Sequence, residues 1–210
     1  MVDTTNFQES ATEIEERLQK SENIREELLK LSRIVIKFSG QSIESFHRGQ
    51  TLQAEKKLNY AEKELSKINE ILKEDLQSYN IGIVGIAMQE YAEARLFYDI
   101  IENKILTPIK DIEVTDAAYI LGVADLIGEL RRYILERLVD GDIATAKNYY
   151  NIMKELYGTY LQIEFGKNLV PDLRRKKDTA RVLVERTLSD LFVAQQSKNL
   201  EKRLDRESRV

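Results

Sequence analysis

The sequence predicts an all-α protein, a single domain of six to seven helices that spans residues 1–210. Apolar residues recur at spacings of three and four along most of the chain, which is typical of helices that bury one face. No segment alternates polar and apolar residues for long enough to predict a strand. The chain has only 9 glycines and 2 prolines among 210 residues, so few turns are available.

The first half of the chain predicts three helices. The first is a long helix, after which Gly40 and Gly49 bracket a weaker stretch where a turn or a kink can form. The second carries one apolar stripe, formed by Leu58, Ala61, Leu65, Ile68 and Leu72. The third runs to about Asn103 and must end before Pro108, because proline disfavours helical geometry in the residue before it.

Capping residues divide the second half of the chain into three more helices. Thr115 is predicted as the N-cap of a helix that ends near Gly141, where glycine can adopt the left-handed closing conformation. Asp142 is predicted to cap the next helix, which Gly166 closes. Pro171 suits the first turn of the last helix, because its fixed φ is helical and its missing N–H is not needed there.

The two ends of the chain are polar. Met1 to Ser10 carry acids and lack the apolar stretch of a signal peptide. From Gln195 onward the only apolar points are Leu200 and Leu204. We therefore expect residues 195–210 to form a fraying helix end or a disordered tail.

The composition excludes several classes of chemistry. The chain has no cysteine, which excludes disulfides and zinc–thiolate sites, and its single histidine, His47, leaves little material for a catalytic triad. Hydrophobic residues make up 42% and charged residues 32%, as in a globular protein. No stretch contains the about 18 consecutive apolar residues that a membrane span needs. We therefore expect a cytoplasmic protein with no membrane partner. Any catalysis must rest on carboxylates.

Two pairs of acidic residues lie in unusually apolar helices. Glu90 and Glu93 lie roughly 60° apart around one predicted helix, and Asp125 and Glu129 lie roughly 40° apart around another. Carboxylates among apolar neighbours should have raised pKa values unless a positive charge compensates. Hard oxygen ligands without sulfur favour Mg²⁺ or Mn²⁺ as that charge. Acidic pairs at these spacings are also common on solvated helix faces, so a surface role stays open.

Glycines accompany both acidic pairs. Gly82 and Gly85 precede the first pair, while Gly122 and Gly128 flank Asp125. A glycine inside a helix costs about 1 kcal/mol relative to alanine, so Gly128 in particular calls for a structural reason. A close approach of two helix backbones is such a reason, and it would bring all four carboxylates toward one point.

Basic residues form short clusters that are candidates for nucleic-acid contacts. Phosphate binding needs Lys and Arg side chains along one surface. The same residues could instead form solvated helix faces that pair with nearby acids. The candidates are His47, Arg48, Arg131, Arg132, Arg174, Arg175, Lys176, Lys177 and Arg181.

Two segments resemble the translin family, and more closely its translin-associated factor X (Trax) branch. They are Gln89-Glu-Tyr-Ala-Glu-Ala94 and Tyr119-Ile-Leu-Gly-Val-Ala-Asp-Leu-Ile-Gly-Glu-Leu-Arg131, and looser likeness extends from about Leu28 to Leu191. The resemblance implies an all-α fold of about seven helices, assembly into a hollow octamer-like barrel, and binding of single-stranded RNA or DNA. Trax-type subunits also bind a divalent metal through clustered acids and cleave RNA internally.

The resemblance also implies roles for the four acidic residues. Glu90, Glu93, Asp125 and Glu129 match the acidic cluster of the Trax branch, with Glu93 and Glu129 as the metal ligands. The chain has a short connection between residues 105 and 115 and lacks a long basic N-terminal extension, which favours a homo-oligomer over pairing with a separate translin subunit.

Three hypotheses follow. The first is an endoribonuclease that uses Mg²⁺ or Mn²⁺ to cleave single-stranded RNA inside an oligomeric barrel, with single-stranded DNA as a further candidate ligand. Glu90 and Asp125 would then complete the metal shell or act as the base. The second is a non-catalytic translin-like protein that binds single-stranded nucleic acid. The third is a helical scaffold whose carboxylates lie on the surface.

Overall fold

The computed structural model describes residues 5–74 and 81–207, which form six α-helices. These are α1 (Thr5–His47), α2 (Thr51–Glu74), α3 (Gly82–Tyr98), α4 (Asp116–Val139), α5 (Ile143–Leu161) and α6 (Leu173–Glu207). A π-helical turn, Asp99–Asn103, follows α3, and a 3₁₀ turn, Ile109–Asp111, precedes α4. These ranges contain no strand, so the predicted all-α class is confirmed.

Helices α3 and α4 occupy the middle of the bundle. Helix α1 packs on α2 and α3, α3 packs on α4, and α4 packs on both α5 and α6. One hydrophobic cluster includes side chains from all six helices. Leu126, Ile127 and Leu130 of α4 are fully buried within it. The two segments that carry the acidic pairs therefore pack against each other at the centre of the fold.

The first two helices are joined by one tight turn. Gly40 does not interrupt α1, which continues to His47, and the turn falls at Gly49, whose φ is +72°. A left-handed φ of this kind favours glycine. At its other end, α1 is exposed at every residue from Asn6 to Asn23.

The predicted caps of α4 and α5 are confirmed. The Thr115 hydroxyl accepts a hydrogen bond from the Ala118 N–H at 3.2 Å, and the Asp142 carboxylate accepts one from the Thr145 N–H at 3.0 Å. Gly141, between the two helices, has a φ of +75°. A side-chain oxygen that satisfies a free N–H in the first turn stabilises a helix by about 1 kcal/mol.

The last helix begins later than expected and extends through most of residues 195–210. It begins at Leu173, after Asp172 with a φ of +61°, so Pro171 precedes the helix and does not lie in its first turn. It continues to Glu207, and residues 208–210 lie outside the described part of the chain. The described part of the expected tail is thus helical, because Gln, Glu, Lys, Arg and Leu are strong helix formers. None of the helices in residues 5–74 and 81–207 has an apolar stretch of the length that a membrane span requires.

Candidate functional site

Helices α3 and α4 approach each other most closely at Gly122. A Cβ atom at this position would lie 2.9 Å from the Ala92 Cβ atom, 3.0 Å from the Gln89 carbonyl oxygen and 3.1 Å from the Glu93 nitrogen. Any larger residue would force the backbones apart. The sequence predicts this close approach at Gly128, but it lies six residues earlier, at Gly122. A Cβ atom at Gly128 would meet only the Leu183 side chain, at 3.9 Å.

This contact brings the four predicted carboxylates into one acidic cluster, defined as Glu90, Glu93, Asp125 and Glu129. The Glu93 side chain lies deepest, and the residue is 8% exposed. Burial, followed by the negative charges of Asp125, Glu90 and Glu129, raises the pKa of Glu93 to about 9. Burial and the charge of Asp125 also raise the pKa of Glu90. The four side chains therefore act on one another electrostatically, as the sequence predicts.

The two carboxylates on α4 are held by cationic and polar side chains. Lys176 Nζ of α6 donates to one oxygen of Asp125, and Gln89 Nε2 donates to the other at 2.6 Å. Glu129 contacts His47 Nε2 at 2.8 Å. By contrast, no residue in the described ranges donates a hydrogen bond to the carboxylate of Glu90 or Glu93. Both α3 carboxylates thus lack a donor within the described ranges, and Glu129 has a partner there at one oxygen only.

His47 is buried at the end of α1. Its side chain is 1% exposed, its ring stacks on Phe97 with centroids 4.9 Å apart, and its Nδ1 lies 3.0 Å from Glu136 Oε2. Burial disfavours the charged imidazole, but the hydrogen bonds to Glu129 and Glu136 raise the pKa of His47 above its usual value. The structure therefore places His47 between two carboxylates, where it cannot make the nucleic-acid contact predicted for it.

Four other predicted nucleic-acid residues lie near this end of the site and are paired with acids or hydroxyls. Arg131 binds the Thr187 hydroxyl and Asp190, each at 2.8 Å. Arg132 contacts Glu44 and Glu136, each at 3.5 Å, and Arg48 contacts Glu44 at 2.8 Å. Lys176 is turned inward to Asp125. Arg48 and Arg132 remain exposed enough to contact a phosphate. By contrast, Arg131 ties α4 to α6, and Lys176 pairs with Asp125 of the acidic cluster.

The remaining predicted basic residues line an open cleft between the end of α5 and the start of α6. Its volume is about 1790 Å³, and Arg174, Arg175, Lys177 and Arg181 lie along it. The lining contains six basic and three acidic residues, and the basic ones also include Lys167 and Arg186. We call this surface the basic cleft. Lys176, which donates to Asp125 of the acidic cluster, lies in sequence between Arg175 and Lys177 of the basic cleft.

Three site residues were missed by sequence reasoning, namely Gln89, Glu136 and Tyr160. Glu136 follows Glu129 by seven residues, which returns to the same helix face and could have revealed it. Tyr160 is 1% exposed, and its hydroxyl finds no hydrogen-bond partner in the described part of the chain. Burial, with the nearby charge of Asp125, raises the pKa of Tyr160 to about 12.

The acidic cluster has the chemistry of a hard-cation site. It supplies only oxygen donors, and Glu93 is a desolvated carboxylate whose ionised form needs a nearby positive charge. In residues 5–74 and 81–207, no three acidic or histidine side chains are grouped as a preformed metal site. The chemistry of the donor set fits Mg²⁺ or Mn²⁺, which prefer oxygen ligands.

A family match covers most of the bundle and the whole acidic cluster, from residue 23 to residue 187. The chain belongs to the translin family. The match ends within α6, and it begins where α1 enters the hydrophobic core.

Relatives of known structure share this fold. The structure of AfC3PO in complex with duplex RNA is 36% identical, with a TM-score of 0.81, and the alignment covers 90% of this chain and 97% of that one. The crystal structure of AfC3PO gives 36% identity, a TM-score of 0.83, and coverage of 90% and 98%. That of apo-NeC3PO gives 27% identity, a TM-score of 0.80, and coverage of 88% and 96%.

A curated sequence relative extends the similarity to an archaeon. The uncharacterized protein MJ0175 of Methanocaldococcus jannaschii is 30% identical over 191 residues, which are 90% of this chain and 84% of that protein. The similarity therefore spans nearly the full length of both chains.

Proposed function

We propose that this translin-family protein is an endoribonuclease of the Trax type that uses Mg²⁺ or Mn²⁺ at the acidic cluster. The observation that carries the proposal is the burial of Glu93 among three further carboxylates, which raises its pKa to about 9. Such a cluster destabilises the folded protein unless a bound cation compensates its charge, because like charges in an apolar setting repel each other. A divalent cation removes that repulsion.

The residues of the cluster take distinct roles in this proposal. Glu93 and Glu129 hold the metal, while Glu90 and Asp125 complete its shell or orient the attacking water and accept its proton. The metal, when bound, polarises the scissile phosphate and makes a water more acidic. Lys176, paired with Asp125, adds a fixed positive charge beside the place where the phosphate must lie.

RNA is the proposed substrate, and the basic cleft is the proposed contact for its backbone. The similar protein AfC3PO has been captured with duplex RNA, which supports RNA as the ligand class. Arg174, Arg175 and Lys177 lie in the cleft, next in sequence to the lysine that reaches the acidic cluster. We propose single-stranded RNA as the substrate that is cut, with single-stranded DNA as a further ligand.

The protein is proposed to act as a closed homo-oligomer of eight subunits. Helix α6 leaves Leu188, Phe192 and Val193 more than half exposed, which is unusual for large apolar side chains on a free surface. Closed rings bury such faces between identical subunits. An enclosed space would also gather the basic residues of several subunits around the RNA.

A second candidate is a nucleic-acid-binding protein without catalysis. The observation that favours it is the occupation of both α4 carboxylates: Lys176 holds Asp125, and His47 holds Glu129. If these contacts are permanent, only Glu90 and Glu93 remain to hold a cation.

One experiment separates the two candidates. Purified protein is incubated with an RNA labelled at both ends, in Mg²⁺, in Mn²⁺ or in EDTA, and products are separated by size. Internal cuts give labelled fragments of intermediate length, and fragments of this kind that appear with either metal and vanish with EDTA support the nuclease. Tight binding without fragments in any of the three buffers would leave only the binding protein.

A further inference from the structure

His47 joins the acidic cluster to a fifth carboxylate, that of Glu136, on the outer part of α4. Its Nε2 lies 2.8 Å from Glu129 Oε2, and its Nδ1 lies 3.0 Å from Glu136 Oε2. The ring is clamped by stacking on Phe97, with an angle of 27° between the ring planes. The Nε2 contact links residues 82 apart in the chain, so it exists only because the end of α1 lies beside the second half of α4.

Both ring contacts have hydrogen-bond distances, and each pairs a ring nitrogen with a carboxyl oxygen. An ionised carboxylate only accepts, so the ring nitrogen is the donor wherever its carboxyl partner is ionised. Glu136 is in turn approached by Arg132 Nε at 3.5 Å, and it is 31% exposed. The chain of contacts therefore runs from the surface, through Glu136 and His47, to Glu129.

We infer that His47 is a positioning residue that fixes the Glu129 carboxylate for metal binding, and that Glu136 anchors the His47 ring. The inference rests on the proposed function, in which Glu129 is a metal ligand. Because one oxygen of Glu129 accepts from His47, the carboxylate cannot rotate freely, and its second oxygen is presented in one orientation. Partners of metal ligands contribute about 10- to 100-fold to metal affinity in this way.

A purely structural role makes a different prediction. His47 could simply tie α1 to α4 inside the bundle, in which case its replacements would change stability but not the affinity for metal. Two amides separate these roles. A glutamine side chain places its N–H group near the position of Nε2, whereas an asparagine places it near that of Nδ1. Both variants lose the stacking on Phe97 equally.

The experiment compares His47→Gln with His47→Asn by Mn²⁺ affinity, measured from the free-Mn²⁺ signal in electron paramagnetic resonance, and by thermal unfolding. His47→Gln keeps the bond to Glu129 and should bind Mn²⁺ about 10- to 100-fold more tightly than His47→Asn. In cleavage assays the difference should fall on kcat, with KM for RNA unchanged, because the basic cleft is intact. Equal Mn²⁺ affinity of two folded variants would overturn the inference.

A third variant covers the case in which His47 replacements do not fold. Glu136→Ala removes the acceptor of the His47 Nδ1 contact without altering the ring or any carboxylate of the cluster, and its partly exposed helical position tolerates alanine. It should weaken Mn²⁺ binding, whereas Glu70→Ala, at an exposed position of α2, should not. Wild-type affinity in Glu136→Ala would overturn the anchoring role. If the wild-type protein itself binds no Mn²⁺, the proposed function fails, which is distinct from a failure of positioning alone.

Discussion

Glu93 combines burial with like charge, and both act against its ionised form. The residue is 8% exposed, and three other carboxylates act on it. With a pKa of about 9, it is protonated at neutral pH when no cation is present. A divalent cation reverses this balance, since it attracts the ionised form, so metal binding should release a proton from the site.

The first prediction concerns Glu93→Gln. This substitution keeps the size of the side chain and removes the negative charge that a dication needs. Cleavage should fall by at least about 100-fold, which corresponds to roughly 2.7 kcal/mol of transition-state stabilisation. RNA binding should persist, because the basic cleft is unchanged. Initial rates with labelled RNA, together with a filter-binding isotherm, measure both effects.

The matched control is Glu70→Gln, at an exposed position of α2. It removes the same charge from the chain and should change neither cleavage nor binding. If Glu93→Gln cleaves as fast as this control in saturating Mg²⁺, the acidic cluster is not the active site.

The second prediction concerns stability without metal. Burial raises the pKa of Glu93 in the folded state to about 9, well above the about 4.3 of an unfolded chain. Between these values the folded protein binds more protons, so its stability should fall as the pH rises through this window. The loss is at most about 1.4 kcal/mol per pH unit for one such group.

Glu93→Gln removes this titration and should flatten the dependence. Urea unfolding in EDTA at about pH 5 and about pH 8.5, for the wild type and the variant, gives the two slopes. Parallel slopes would mean that the Glu93 carboxyl titrates as a normal solvated acid.

At the scale of the helix pair, the third prediction contrasts two glycines of α4. A Cβ atom at Gly122 would lie 2.9 Å from the Ala92 Cβ atom and 3.0 Å from a backbone oxygen, so Gly122→Ala must separate α3 from α4. We expect a loss of about 1–3 kcal/mol of stability. Gly128→Ala meets only a side chain at 3.9 Å and should be neutral or stabilising by up to about 1 kcal/mol. Chemical denaturation checks both, and equal effects would contradict the packing described above.

The same helices show what could and could not be predicted from the sequence. Helical spacing and the caps Thr115 and Asp142 are local features, and the structure agrees with them. Whether Gly122 or Gly128 lies at the closest approach of α3 and α4 depends on how the two helices are aligned along each other. The local sequence pattern of either helix does not specify that alignment. The partners of the α4 carboxylates come from distant segments: Lys176 is 51 residues from Asp125, and His47 is 82 residues from Glu129.

At the scale of the whole molecule, the fourth prediction concerns assembly. The net charge of −4 disfavours RNA binding by a lone subunit, yet six basic residues line one cleft. An oligomer concentrates such clefts around one space, and the exposed apolar residues Leu188 and Phe192 of α6 supply a contact face. We expect light scattering at micromolar concentration to give a mass of about eight chains. A monomeric mass would contradict closed assembly.

The last prediction concerns the form of the RNA. The cluster lies between two helices with Glu93 8% exposed, so a scissile phosphate must enter a recess to reach it. A single strand can bend into such a recess, whereas an A-form duplex is stiff and holds its phosphates along a fixed helix. Cleavage should therefore fall sharply when the same RNA is annealed to its complement. This should hold even if the duplex still binds, as duplex RNA does in the complex of the similar protein AfC3PO.

Time courses on both forms of the RNA, at concentrations that saturate binding, separate entry into the site from affinity. Equal cleavage rates would mean that phosphates reach the acidic cluster without bending, and that the site opens onto an outer surface wide enough for a duplex.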